Sequence, residues 1–120
     1  MIGRVDAAAR ALMSLSVRSS EQASAEELVV WIDTAFDGEL VVPAAQVHSL
    51  RLPPASTCQA ILADGNTVTL ETYYCWVDWF GAPRRVEVVT SDARLPLLGT
   101  ALLRNRKLSI DYRSGEVILE

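Results

Sequence analysis

The side chains with the strongest claim to metal or nucleophile chemistry are Cys58, Cys75 and His48. They do not make a metal set. A structural zinc takes four nitrogen or sulfur ligands at close paired spacings, and the chain has neither a Cys-x-x-Cys nor a His-x-x-x-His pair. A nucleophilic Cys–His pair would have to use His48, and no third residue suggests itself to orient the imidazole. Both cysteines read as small buried hydrophobes with free thiols. What remains is carboxylate chemistry. Asp33-Thr34-Ala35 follows the apolar run Leu28–Ile32, so a strand delivers an aspartate, a small hydroxyl residue and a very small residue in succession. Taken alone, Asp33 also fits a carboxylate that ends a strand by capping a turn. Asp64 lies in an Asp-Gly pair and reads as a turn residue, while Asp37, Asp78, Asp92 and Asp111 read as solvated or loop carboxylates.

The elements that must position Asp33 are mostly strands. Val, Ile, Thr, Tyr and Trp cluster in short runs punctuated by turn residues. Residues 2–6 and 11–18 read as a hairpin, with Met13, Leu15 and Val17 alternating against Ser14, Ser16 and Arg18. Glu26–Ile32 is a third strand and 39–42 a fourth. Pro43 is placed at the first position of a short helix through Leu50, which Pro53-Pro54 stops. The strand 57–62, the pair Asp64-Gly65 and the strand 67–79 read as a second hairpin. A two-residue turn there pairs Ala63 with Asn66 and puts Cys58 opposite Glu71, away from Cys75, so no disulfide is expected. Residues 80–83 turn the chain again into the strand 84–90. Leu95–Gly99 is a short buried segment, Thr100 caps a helix through about residue 106, and 107–112 with 116–120 form a last hairpin. On the strand 67–79, Tyr74 and Trp76 share one face and Tyr73, Cys75, Val77 and Trp79 the other; with Trp31 these aromatics fit the lining of a peptide-binding cleft, but core or interface packing is the first reading.

Composition narrows the function classes. Fifteen acidic against eleven basic residues leave a net charge of −4 in 120 residues. That disfavours a nucleic-acid module, which carries a basic stripe, and an anionic membrane surface. The longest uncharged stretch, Leu52–Ala63, contains two prolines and is too short to span a bilayer. The first ten residues carry Arg4, Asp6 and Arg10 and lack a signal-type apolar run, so a cytoplasmic location is expected. The length predicts a single domain over residues 1–120.

Four landmarks occur in order along this β-rich chain. The first is Trp31-Ile32-Asp33-Thr34-Ala35, followed by Gly38-Glu39-Leu40 and Val42-Pro43. The second is Leu62-Ala63-Asp64-Gly65. The third is Leu97-Leu98-Gly99 leading to Leu102-Leu103, and the fourth is Leu108-Ser109-Ile110-Asp111. Together they make the chain resemble the retropepsin-like aspartic proteases, in particular their small single-domain prokaryotic members. One position departs from the family pattern: Ala35 stands where the family carries glycine.

The resemblance implies an all-β, retropepsin-like barrel, closed or partly open, with one or two short helices, forming half of an acid-protease architecture that a homodimer completes. It implies Asp33 as the catalytic residue, Thr34 and Ala35 as its loop support, Ala63, Asp64 and Gly65 as the tip of a flap, and Leu97, Leu98 and Gly99 as the family's hydrophobic-hydrophobic-glycine segment. The partners implied are a second copy of the chain and a peptide or protein substrate, with no cofactor and no metal. Aspartic proteolysis needs two carboxylates sharing one proton, and a chain with one such motif supplies one of them. The terminal strands 2–6 and 116–120 are the expected interface. The alternative is a dimer of the same kind that binds peptide, or serves as a scaffold, without hydrolysis.

Overall fold

The alternation of apolar and polar residues along Ala11–Arg18 buries Met13, Leu15 and Val17 and leaves Ser14 exposed, as a strand covered on one face requires. The computed structural model describes all 120 residues. Ten strands and two short helices follow in the order β1 (Ile2–Val5), β2 (Ala11–Arg18), β3 (Glu26–Ile32), β4 (Leu40–Pro43), α1 (Ala44–Leu50), β5 (Pro54–Ile61), β6 (Thr67–Trp79), β7 (Ala82–Ser91), β8 (Leu97–Leu98), α2 (Thr100–Leu103), β9 (Leu108–Asp111) and β10 (Glu116–Leu119). No helix is long and apolar enough to cross a membrane.

Six strands close a ring in the order β6-β7-β4-β8-β3-β2, with β2 returning to β6 through Val17↔Val77 and Arg18↔Trp76. Most pairs are antiparallel; β4–β7 and β3–β8 are parallel. Closure is possible because β2 and β6 each share one edge between two partners. β2 meets β1 through Ala11 and Leu12 and meets β6 through Val17 and Arg18. β6 meets β5 over residues 67–73 and β2 at Trp76 and Val77. Met13, Leu15, Val30, Leu40, Val88 and Leu98 fill the ring and are at most 1% exposed. Two pieces stand outside it: the β5–β6 hairpin and the sheet β1-β10-β9.

Several turns differ from the expectations, each for a local reason. The β5–β6 register places Ile61 opposite Thr67 and Cys58 opposite Leu70, one residue from the expected pairing. The loop is Ala63-Asp64-Gly65: Leu62 N–H donates to the Asn66 carbonyl at 2.8 Å, and Gly65 takes the left-handed φ of 86° that a three-residue hairpin loop demands. The β6–β7 turn is shorter than expected. Phe80 and Gly81 both have positive φ, and β7 starts at Ala82. Pro83 is tolerated within it because β4 pairs with β7 only from Val88 onward, leaving that edge without a ladder to break.

Pro43 ends β4 and precedes the helix rather than opening it, at φ −56° and ψ 143°. The helix stops at Arg51, which turns left-handed ahead of the prolines. Gly99, not Thr100, is the residue before α2, and α2 ends at Leu103. The terminal strands pair with each other, Ile2↔Ile118 and Gly3↔Val117, and β10 has β1 and β9 on its two edges. The backbone edges expected to face a partner are therefore largely used within the chain.

Cys58 is half-buried and Cys75 buried, and both thiols are free. Burial pushes the Cys75 thiol up to about 12, and the nearby charge of Glu39 adds to the shift. Alkylation of the native protein at pH 8 is expected to label Cys58 quickly and Cys75 only after denaturation. Two fast thiols in the native state, or none in the denatured and unreduced protein, would contradict this arrangement.

Candidate active site

Asp33 is the first residue after β3, and its backbone still belongs to the sheet: its N–H donates to the Leu98 carbonyl at 2.9 Å. The side chain then bends the chain. Its Oδ1 accepts the Ala35 N–H at 2.9 Å, while the Phe36 N–H reaches the Asp33 carbonyl at 3.2 Å. This is a turn closed by an aspartate, the turn-capping role that the residue type allows. Asp33 is half-buried; Thr34 and Ala35 are exposed.

The rest of the loop has no regular structure, and its carbonyls find donors on the segment after β8. Thr100 gives both its N–H (2.8 Å) and its hydroxyl (3.2 Å) to the Phe36 carbonyl. Ala101 N–H donates to the Gly38 carbonyl at 3.2 Å and Gly99 N–H to the Glu39 carbonyl at 2.9 Å. Gly99 has an extended backbone, so its φ does not demand glycine. The demand is steric: a Cβ there would press into the Gly38 carbonyl oxygen and the Phe36 ring and lie 2.8 Å from the Phe36 carbonyl oxygen. Asp33, Thr34 and Ala35 are thus brought together with Leu97, Leu98 and Gly99.

Two concavities flank the loop. A depression of about 260 Å³ is lined by Asp33 with Trp31, Arg10, Arg94 and Leu97. Trp31 is 39% exposed there. The Arg10 guanidinium lies 5.9 Å from its ring centroid and is held by Asp6 at 2.7 Å. Hydrogen bonds from the backbone and side chain of Arg10 hold the Asp6 carboxyl below its usual range. On the far side, a groove of about 760 Å³ runs between loop residues 36–39 and the β5–β6 hairpin. Its lining includes Phe36, Glu39, Cys58 and Ile61 but not Asp33.

The hairpin tip, Ala63, Asp64 and Gly65, is exposed and does not line the groove; the hairpin stem does. Asp64 ties the tip to itself through the Asn66 N–H at 2.9 Å and side-chain amide at 2.8 Å. No group of three His, Cys, Asp or Glu side chains converges as a ligand set.

Sequence alone does not single out Phe36, Glu39 and Arg10 as site residues, and Trp31 reads as packing ahead of cleft lining. Glu39 accepts the Glu87 N–H at 3.0 Å and pairs with Arg84 at 3.2 Å, partners more than forty residues away that no local pattern announces. For Trp31 and Arg10 a signal existed, an aromatic residue two positions before Asp33 and a base near the first turn.

No family model matches the sequence, and no curated protein matches it. Among solved structures the chain is similar to a retropepsin-like aspartic protease from Rickettsia conorii, with 16% identity, 99% of this chain and 88% of that chain covered, and a TM-score of 0.67. The fold is retropepsin-like. It is similar as well to the EIAV protease, at 18% identity, 80% and 86% coverage and a TM-score of 0.58. The protease of simian foamy virus matches at 19% identity, 76% and 91% coverage and a TM-score of 0.51.

Within this retropepsin-like fold, the departure at position 35 causes no backbone strain. Ala35 is absent from the four non-glycine residues with positive φ, which are Ala9, Arg51, Phe80 and Asn105. Ala35→Gly is therefore expected to lower stability by about 0.4–1 kcal/mol, through the extra freedom of the unfolded chain. Gly99→Ala is expected to cost roughly 1–3 kcal/mol by overpacking the loop against β8. Urea denaturation measures both. A stabilised Ala35→Gly variant would mean a strained loop, and an unchanged midpoint for Gly99→Ala would mean that the loop contact relaxes freely.

Proposed function

We propose that the chain is one half of a homodimeric aspartic endopeptidase, with Asp33 and its copy forming the catalytic dyad. The observation that carries this reading is the Asp33 loop itself. A single Asp-Thr-small turn, clamped from behind by backbone hydrogen bonds, offers its carboxylate beside a depression on a retropepsin-like fold. Two like carboxylates roughly 3 Å apart cannot both ionise, so the pair shares one proton. The ionised member takes a proton from a water that attacks the scissile carbonyl; the protonated member donates to the carbonyl oxygen. The pKa values belong to the pair, not to either Asp33.

Thr34, exposed next to Asp33, is suited to bridge the two loops across the two-fold axis through its hydroxyl. Leu97, Leu98 and Gly99 keep the loop rigid, and the hairpin with Ala63, Asp64 and Gly65 at its tip closes over peptide and excludes water. The domain is residues 1–120, the substrate a peptide or protein, and the location cytoplasmic, which two unpaired thiols suit. The exposed methyl of Ala35 favours one second reading: a dimer that holds peptide in the same cleft but crowds its backbone out of the reactive position.

Digestion of casein and a peptide library between pH 4 and 8, with and without a statine-type inhibitor, separates the two. Cleavage that the inhibitor stops is expected. Asp33→Asn is expected to reduce it to background while leaving the dimer intact by sedimentation. Retained cleavage in that variant would remove Asp33 from the mechanism; peptide binding without cleavage at any pH would favour the second reading. Thr34→Val is expected to shift the protein toward monomer at a concentration where the parent is dimeric. An unchanged equilibrium would exclude the bridging role.

A further inference from the structure

The groove between the Asp33 loop and the β5–β6 hairpin has an uneven lining. Half of its lining is hydrophobic, including Phe36, Val41 and Val89 from the barrel side and Leu70 and Ile61, the latter 80% exposed, from the hairpin; Gln59, Thr90 and Ser91 add neutral polar groups. Its charged lining is entirely acidic, Asp37, Glu39 and Glu87. Glu39 is already compensated, pairing with Arg84 at 3.2 Å and accepting the Glu87 N–H. Asp37 and Glu87 are exposed, and neither takes part in any of the three ion pairs of the chain. The groove, about 760 Å³ in volume, therefore combines apolar surface with two carboxylates that have no ion-pair partner.

A purely apolar side chain would use the apolar surface and leave the charges idle, and an acidic one would be repelled. A long stem that ends in a cation uses both. We infer that this groove is a specificity pocket for an arginine or lysine side chain of a bound peptide, with Asp37 and Glu87 receiving the cationic head. The inference rests on the peptide-cleft reading above and adds the substrate class.

The test uses the full-length Asp33→Asn protein, in which bound peptide is not turned over. Fluorescent octapeptides carry Arg, Lys, citrulline, norleucine or Glu at each position in turn, and binding is read by anisotropy at low salt. At one position Arg and Lys are expected to bind about fivefold more tightly than citrulline and norleucine, with Glu the weakest. In the Asp37→Asn/Glu87→Gln variant, and in 1 M salt, the preference is expected to fall within about twofold. No preferred position, no binding of any peptide, or a preference that survives in the double variant would overturn the pocket. Casein digestion by the parent protein keeps the two readings apart. Digestion without a basic preference removes this inference alone; a basic preference without digestion removes the peptidase reading and leaves the pocket standing.

Discussion

A loop without regular structure must still satisfy its backbone carbonyls, and Phe36, Gly38 and Glu39 do so through the N–H groups of residues 99–101. Much of the site depends on this exchange. It places α2 under the loop, brings β8 between β3 and β4, and makes Gly99 a contact point where two backbones meet with no room for a methyl group. The parallel pairing of β3 with β8 completes it, because Asp33 N–H closes that ladder on Leu98. Asp33 is held by main chain on one side and by its own side-chain turn on the other. The Ala35 N–H thus fixes the rotamer that places the carboxylate.

The barrel and the hairpin divide the labour. The ring is filled by nearly inaccessible residues, whereas no residue of β5 is buried and Ile61 and Leu62 point into solvent. β6 belongs to both, with its second half in the ring and its first half in the hairpin. A rigid platform for Asp33 is thus joined covalently to a projection with few buried contacts, the kind of segment that opens at low free-energy cost. The groove beneath it draws one wall from each part.

Much of the strand pattern was legible because side chains along it alternate between a filled interior and solvent. The bounds of Glu26–Ile32 and Thr67–Trp79 follow from β-rich runs bounded by turn residues, and the α1 stretch 44–50 from the prolines on either side of it. Registers and turn lengths were less legible. Asp64-Gly65 is compatible with a two-residue or a three-residue loop, and the choice moves every pair on the hairpin by one; only the left-handed Gly65 and the Leu62–Asn66 bond decide it. The pairing of the two chain ends was not legible either, because β1 and β10 lie at opposite ends of the sequence.

By itself the sequence determined a small acidic β-protein with one Asp-Thr-Ala turn after an apolar strand, a glycine-bearing hairpin and a second apolar-glycine segment, because local periodicity and turn chemistry are written in adjacent residues. Tertiary structure alone decided that the second segment clamps the first, that Ala35 lies outside the left-handed region, that Gly99 is required by a close approach, and that two unpaired carboxylates share a groove with apolar surface under the hairpin. Apart from the backbone of Ala35, each of these joins residues tens of positions apart, and closing a barrel brings them together through backbone hydrogen bonds that carry no residue-specific signature.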